Sequence, residues 1–255
     1  MNMNKDFLTK IVLTTILWTC SFILVPIFIF TASPIQWLIA LVIYYFIADW
    51  IVSATLHHAC SHKDWIPPRW WMLMTAILGA MLCQGTPLTW AAWHRYHHRT
   101  SDTPDDPHSP RYSSFFWVVF CVYWQKYDMM TATDWVRDKK IVWITKHQIE
   151  LSLVSFIGLY LILPFDWFLT LWAVPLALGS VGPSIGHAII GHWGCFYKDK
   201  GGDGLRDTMW IFPFAFSGYR HKTHHEKMGM PSGRWVISTR IIKLLCPSRI
   251  KKEVE

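Results

Sequence analysis

The sequence predicts an all-α integral membrane protein in which apolar hairpins alternate with cytoplasmic segments. Hydrophobic residues make up 52% of the 255-residue chain and charged residues only 16%, whereas soluble proteins carry about 25% charged residues. Two apolar runs reach the roughly 20 residues that a helix needs to cross a bilayer. All 24 lysines and arginines lie outside segments 11–62 and 147–197, as the preference of basic loops for the cytoplasmic side predicts.

Four membrane-spanning helices are expected, arranged as two hairpins. The first hairpin comprises residues 11–30 and 37–56, and the second comprises residues 149–163 and 167–184. The second pair is short for membrane spans, but neighbouring apolar residues extend both runs. This arrangement places residues 57–146 and 187–255 on the cytoplasmic side, as parts of one domain that extends over residues 1–255.

Two shorter apolar segments, 70–82 and 114–124, are expected to lie at the membrane interface or to re-enter it. Thirteen residues suit an interfacial helix better than a span. If segment 70–82 crossed the bilayer, the histidines before and after it would lie on opposite sides and could not share a site. The net charge of +7 is explained by basic loops on the cytoplasmic side of the membrane, so no nucleic-acid partner is expected.

Histidines form four groups along the predicted cytoplasmic segments. On a helix, positions i, i+3 and i+4 project from one face, so each HxxHH motif is expected to supply half of a metal site, because imidazole is the commonest ligand of transition metals in proteins. A single zinc site needs four ligands at most, so the number of histidines indicates two metal ions. The groups are His57, His58 and His62; His94, His97 and His98; His187 and His192; and His221, His224 and His225.

The first group leaves two ligand pairs open. His57 and His62 are five residues apart, about 140° around an α-helix, so they can share a metal only if the helix frays there. His58 and His62 are four residues apart and share a helix face. The identity of the metal is also open, because imidazole suits iron, copper, zinc and nickel.

Three of these groups resemble the three histidine boxes of the membrane fatty-acid desaturase family. The boxes are His57-x4-His62, His94-x2-His97-His98 and His221-x2-His224-His225. The similarity covers about residues 48–245 and is strongest to delta-9 type acyl-lipid and acyl-CoA desaturases. It extends to Gln84-Gly85-x-Pro87-x-x-Trp90, Ser101-Asp102, Asp106-Pro107-His108-Ser109-Pro110, Trp193-Gly194 and Gly233-x-Trp235.

The resemblance implies a di-iron centre with nine histidine ligands. It favours His57 over His58 in the first box, and His192 over His187 as a ninth ligand between boxes two and three. No catalytic residue is expected beyond the ligands, and Trp90 and Trp93 are the candidates for contacts with the substrate. The implied ligands are His57, His62, His94, His97, His98, His192, His221, His224 and His225.

The implied activity is O2-dependent insertion of a cis double bond into a saturated acyl chain, with delta-9 as the default position. The acyl group is carried by a lipid, by CoA or by a carrier protein. Acyl-CoA desaturases of animals and yeast carry Arg-Asp where this chain has Ala92-Trp93. The missing arginine removes an expected contact with a phosphate of CoA, so the resemblance gives less support to a CoA-linked substrate than to the other carriers. Gly218, Lys222 and Ala188 also replace polar residues that the family usually has near box three and the ninth histidine.

The expected partners are the bilayer, the acyl substrate and a separate electron donor of the ferredoxin or cytochrome b5 type, since no cytochrome b5-like His-Pro-Gly-Gly segment occurs. The expected location is a bacterial cytoplasmic membrane with the active site on the cytoplasmic side, and the endoplasmic reticulum is the alternative. Two other functions remain open: a related di-iron hydroxylase or ketolase that acts on a lipid, and a non-catalytic membrane protein that binds metal.

Overall fold

A computed structural model describes residues 5–106, 109–115, 118, 128–193, 205–211 and 221–226, and the elements in these ranges are helices. Short helical turns at Met129–Ala132, Thr133–Val136 and Met209–Ile211 connect the longer helices. The longer helices are α1 (Lys5–Thr31), α2 (Pro34–His62), α3 (Arg69–Met81), α4 (Pro87–Thr100), α5 (Lys139–Lys146), α6 (Gln148–Ile162), α7 (Phe165–Ile190) and α8 (His221–Glu226).

Three of the described helices are long and apolar enough to cross a membrane: residues Val12–Thr31 of α1, α2 and α7. They correspond to the first, second and fourth expected spans. The expected third span is α6, which has 15 residues and is therefore about 22 Å long. This equals the length of the predicted run 149–163, but a hydrocarbon core is about 30 Å thick, so the helix itself is shorter than a full span and the predicted extension by neighbouring apolar residues is not seen in it.

Helices α2 and α7 begin at the same end of the molecule. Gln36 near the start of α2 donates a hydrogen bond from Nε2 to Oδ2 of Asp166 near the start of α7, at 3.2 Å. The two helices extend in the same direction from this contact, and their far ends carry His57, His62 and His187. Helix α6 precedes α7 and packs against α3, where Ser152 Oγ donates to the carbonyl oxygen of Ala80 at 2.6 Å.

Helices α2 and α4 begin with the same N-terminal capping box. Ser33 and Thr86 are the N-caps, each side chain accepts a hydrogen bond from the backbone three residues later, and Gln36 and Thr89 bond back to the cap backbone. A proline follows each cap at the first helical position, where its fixed φ suits a helix start. The starting point of α4, and with it the position of the second histidine box, is therefore set by local sequence.

The second half of α2 is wound as a π-helix over Phe46–His62, with hydrogen bonds between residues five apart. The hydroxyls of Thr55 and Ser61 accordingly donate to the carbonyl oxygens of Trp50 and Leu56, five residues back, at 2.8 and 2.9 Å. The expectation that the helix must fray for His57 and His62 to meet is wrong. The helix continues through His62, and the π winding brings the two rings to a centroid distance of 5.0 Å.

Helix α3 occupies the segment expected at 70–82, and the chain turns back directly after it. Cys83 and Gly85 have positive φ values of 56° and 87°, a region that glycine adopts most readily. A side chain at Gly79 would meet the carbonyl oxygen of Gly85 at 2.4 Å from its Cβ, so the tight reversal requires glycine there too. The other expected interfacial segment, 114–124, falls largely outside the described residues.

Candidate metal centre

Four parts of the chain bring nine histidines together in two groups: the end of α2, α4, the segment after α7, and α8. Within each group the ring nitrogens offered lie within 4.8 Å of one another. The nine are the histidines that the resemblance implies as ligands, and their role as iron ligands stays a prediction. The first group is His57, His62, His94, His98 and His224, and the second group is His97, His192, His221 and His225.

Each HxxHH motif contributes to both groups, which corrects the expectation that each supplies half of one site. On α4, His94 and His98 belong to the first group and His97 to the second. On α8, His224 belongs to the first group and the other two histidines to the second. The His98 and His225 rings stack between the groups with a centroid distance of 4.1 Å.

The two alternate histidines lie beside the groups and have other partners. Nδ1 of His58 is 2.7 Å from Oδ2 of Asp64. Nδ1 of His187 is 3.1 Å from the carbonyl oxygen of Pro183. Within the described ranges of the chain, neither histidine joins a group of converging ring nitrogens.

The close approach of ring nitrogens in the first group fits a shared ion better than hydrogen bonds. Nε2 of His94 lies 2.8 Å from Nε2 of His62 and 2.9 Å from Nε2 of His98. An imidazole nitrogen carries either one N–H or one lone pair, so it cannot form two good hydrogen bonds. Two nitrogens bound to one zinc-sized ion at a right angle are about 2.9 Å apart, given a metal–nitrogen distance of about 2.0–2.1 Å.

Burial keeps these imidazoles neutral. It lowers the pKa of His94, His221 and His224 well below the usual histidine value, and neighbouring histidines lower it further. A neutral imidazole keeps the lone pair that a metal ion requires, because protonation removes it. The site is therefore able to bind a metal ion without first losing protons from these three rings.

Two buried aspartates orient histidines of the second group. Nδ1 of His97 lies 3.0 Å from both carboxylate oxygens of Asp106, and Nδ1 of His192 lies 3.1 Å from both oxygens of Asp102. The backbone N–H of Asp102 donates to Asp106 Oδ2 at 2.9 Å, and Ser109 Oγ donates to Asp102 Oδ1 at 2.9 Å. With the Nδ1 proton on the carboxylate side, Nε2 is left to bind a metal.

Arg95 joins the end of α2 to the neighbouring segment 129–136. Its Nη2 and Nε donate to the carbonyl oxygens of Cys60 and Ser61, both at 2.8 Å. Its Nη1 and Nη2 also donate to the two carboxylate oxygens of Asp134, at 2.8 and 3.0 Å. The last carbonyls of a helix lack partners within the helix, and a cation at this end is favourable. Arg95 therefore fixes the turn that carries His62.

A cavity lies between α2, α4 and α7 and opens onto both groups. Its polar side is formed by five imidazoles, and its other side by apolar and small residues. The predicted substrate residues Trp90 and Trp93 lie on its wall, and the Trp93 ring stacks on His97 with an interplanar angle of 13°. The lining residues are Val52, Ser53, His57, Trp90, Trp93, His94, His97, Pro183, Ser184, His187 and His221.

The sequence model of the fatty acid desaturase family matches residues 32–249. The chain belongs to the fatty acid desaturase family. This desaturase-family chain is 26% identical over 197 residues to Delta-9 acyl-lipid desaturase 2 of Arabidopsis thaliana, covering 72% of the chain and 61% of the relative. It is 30% identical over 189 residues to the Arabidopsis Delta-9 desaturase-like 3 protein, covering 68% of the chain and 60% of that relative.

A cyanobacterial desaturase is similar to the same extent. The chain is 26% identical over 181 residues to the sn-1 stearoyl-lipid 9-desaturase of Synechocystis sp., covering 68% of the chain and 56% of the relative. The chain therefore spans about three-fifths of the length of the curated relatives that it matches. The family resemblance inferred from the histidine boxes is confirmed by these matches.

Sequence reasoning missed three residues that hold the site of this desaturase-family chain. Asp102 and Asp106 occur in the motifs that carry the resemblance, but spacing alone does not show that they face His192 and His97. Arg95 lies between two histidines of the second box, and its position there is the signal that could have marked it. The two aspartates bond to histidines directly, and Arg95 bonds to backbone carbonyls next to His62.

Proposed function

We propose that this protein is a di-iron desaturase that inserts a cis double bond, at delta-9, into a saturated acyl chain of a membrane lipid. The observation that supports this proposal most strongly is the cavity, which is lined by apolar residues on one side and by histidines of both groups on the other. The part of an acyl chain that reached this cavity would bring a pair of methylenes next to both metal positions. A storage or sensing protein has no need for an apolar cavity at its metal site.

The nine histidines would hold two iron ions, one in each group. When bound, the iron pair would supply the activation of O2, which protein side chains cannot perform. In the overall reaction, two adjacent methylenes each lose one hydrogen. O2 takes up these two hydrogens, two electrons from a separate donor and two protons from solvent, and leaves as two waters.

The contribution of the protein to this reaction is to hold one carbon–carbon bond at the site and to exclude water. Trp90 and Trp93 are buried, with 6% and 4% of their surface exposed, and line the cavity together with Pro183. Water exclusion protects a reactive oxidant from side reactions.

A lipid carrier for the acyl group is favoured over CoA. Ala92 and Trp93 stand where acyl-CoA desaturases of animals and yeast carry an arginine and an aspartate, and both are buried. A buried alanine offers no charge for the phosphates of CoA. The names of two similar proteins, from Arabidopsis and from Synechocystis, describe an acyl-lipid and a stearoyl-lipid desaturase.

The proposed setting is a membrane with both histidine groups on its cytoplasmic side. Helices α1, α2 and α7 would span the membrane, and α6 would complete a second hairpin with α7, since the two are joined by the short turn at Pro164. The electron donor would be a separate protein of the ferredoxin or cytochrome b5 type. It would approach from the cytoplasmic side, where the basic residues lie.

Expression in a desaturase-deficient host, followed by gas chromatography of the fatty acid methyl esters, tests this function. The wild-type chain is expected to produce a new cis-monounsaturated acid in the membrane lipids. His224→Ala, expressed to the same level, serves as the negative control because it removes a ligand from the first group. Hydroxylated fatty acids without a new olefin would show a hydroxylase instead, and an unchanged profile at normal expression would contradict the proposal.

A further inference from the structure

We propose that the two metal positions are unequal and that the second group holds its ion more tightly than the first. This inference rests on the di-iron function proposed above. Ligand number alone would favour the first group, which has five histidines against four in the second, so the proposed order of binding depends on what surrounds the ligands. The difference arises from the two aspartates that contact histidines of the second group.

Asp102 and Asp106 place negative charge next to the second group in a buried environment. Asp106 is 1% exposed and Asp102 6%, and their histidine partners, His97 and His192, are 1% and 0% exposed. Burying a carboxylate is costly unless a positive charge or several hydrogen bonds compensate for it. A cation bound by the second group would provide that compensation, so ion and carboxylates stabilise each other.

The same hydrogen bonds make His97 and His192 stronger ligands. A carboxylate that accepts the Nδ1 proton increases the electron density at Nε2 and fixes the ring orientation. Loss of such a partner typically weakens metal binding about 10–100-fold. Two of the four histidines in the second group have this support.

In the described part of the chain, the first group lacks comparable support. Nδ1 of His94, His98 and His224 is buried and has no hydrogen-bond partner there. The nearby carboxylate of Asp64 bonds to His58, which belongs to neither group. The second group also contains an unsupported ring, since Nδ1 of His221 lacks a partner, so the asymmetry derives from His97 and His192 alone.

The solvent exposure of the histidines also favours weaker binding by the first group. His62 and His98 of the first group are partly exposed, whereas in the second group only His225 is. A ligand that solvent can reach is replaced by water more easily than a buried one. The first group is therefore expected to release its ion first.

Release of iron to a chelator tests the inequality directly. The purified, iron-loaded full chain is mixed anaerobically with an excess of a ferrous chelator, and the iron remaining per chain is followed over time. We expect two phases of equal size that differ about tenfold or more in rate. His224→Ala should lack the fast phase and retain the slow one, since it removes a ligand from the first group.

Variants of the two aspartates test whether the slow phase is iron release from the second group. Asp102→Asn and Asp106→Asn keep the size of the side chain but remove its charge, and each should accelerate the slow phase about 10–100-fold without changing the fast phase. Asp64→Asn is the matched control for the slow phase. Among the described residues, Asp64 bonds to His58, outside both groups, and its charge acts on His62 of the first group, so this variant should leave the slow phase unchanged. If an aspartate variant fails to fold, iron release from the wild type and from His224→Ala still tests whether the two groups are unequal.

A single phase in the wild type, or acceleration of only the fast phase by the aspartate variants, would overturn this inference. The test is separate from that of the proposed function. A wild type that makes the olefin but releases both irons together would refute the inequality alone. A wild type with two phases and no olefin in the host assay would refute the desaturase function alone.

Discussion

Nη2 of Arg95 lies 2.8 Å from the carbonyl oxygen of Cys60, and this contact fixes the end of the π-helix to the helix of the second histidine box. Cys60 lies between His57 and His62, and Arg95 follows His94 directly. The hydrogen bond therefore links the two chain segments that contain His57, His62 and His94 of the first group. It explains why an arginine stands between histidines in α4, where a charge would otherwise be unfavourable next to a metal cation.

Arg95→Gln should lower both thermal stability and iron content. The substitution leaves at least one buried carbonyl without a partner, at a cost of about 1–3 kcal/mol, and should lower the Tm by roughly 5 °C. Arg95→Lys should recover only part of the loss, because an ammonium group cannot reproduce the fork of the guanidinium. Thermal unfolding and iron analysis of the purified proteins measure both effects.

Arg69→Gln is the matched control for this prediction. Arg69 also forms a two-point ion pair, with Asp138, but its side chain is exposed and its polar contacts among the described residues are with that aspartate and not with a histidine or a carbonyl of α2. Exposed ion pairs contribute about 0–1 kcal/mol, so this variant should keep the wild-type iron content. Equal iron loss in the two variants, or none in Arg95→Gln, would refute the role of Arg95.

Gly191→Ala should disturb the second group. A Cβ at Gly191 would meet Cδ2 of His221 at 2.6 Å and the carbonyl oxygen of His187 at 2.4 Å, so the His221 ring would have to move. We expect a substantial loss of iron, with faster release from the second group. Gly158→Ala is the control, because no atom lies within 4 Å of its added Cβ, and it should behave as the wild type. Full iron retention by Gly191→Ala would show that the contact is not needed.

His57→Ala should abolish activity and lower iron content, whereas His58→Ala should have a milder effect. Nε2 of His57 lies 2.9 Å from Nε2 of His224 in the first group, and His58 bonds to Asp64 instead. Iron analysis and fatty acid profiles of the two variants at matched expression check this. The reverse order of effects would move the first box by one residue.

Trp93→Leu should change the product without removing iron. Trp93 lines the cavity and stacks on His97 but belongs to neither group of ring nitrogens. A smaller side chain would let the acyl chain take other positions, so the amount of olefin should fall or its double bond should shift. Product analysis together with iron analysis separates this from a loss of the centre. Unaltered products would exclude Trp93 from the substrate wall.

Sequence spacing predicts which histidines share a helix, but their division into two groups depends on the π-helix and on tertiary contacts. The i, i+3, i+4 pattern predicts that His94, His97 and His98 lie on one helix, and they do so on α4. The same α-helical geometry would pair His58 with His62, whereas His57 joins the first group, because that geometry does not foresee a π-helix. The split of each motif between two groups depends on how α4 and α8 approach one another, which no local pattern contains.

The positions of the apolar helices follow from local sequence, whereas the partners of the supporting polar residues do not. Apolar runs predict α1, α2 and α7 as spans because hydropathy reports the environment of the side chains directly. Helix α6 ends at Ile162, where Leu163 and Pro164 leave helical geometry, within one residue of the predicted end at 163. Asp102, Asp106 and Arg95 were missed because their partners lie on other segments of the chain.

The most direct test of the central claim is a single-turnover product measurement. The purified protein, loaded with two irons per chain and chemically reduced, is mixed with a glycerolipid that carries a stearoyl chain and then exposed to O2. Gas chromatography with mass spectrometry of the methyl esters should detect a cis-9 monounsaturated chain, approaching one double bond per protein chain. A hydroxylated acid in its place, or no product from protein that holds both irons, would contradict the account.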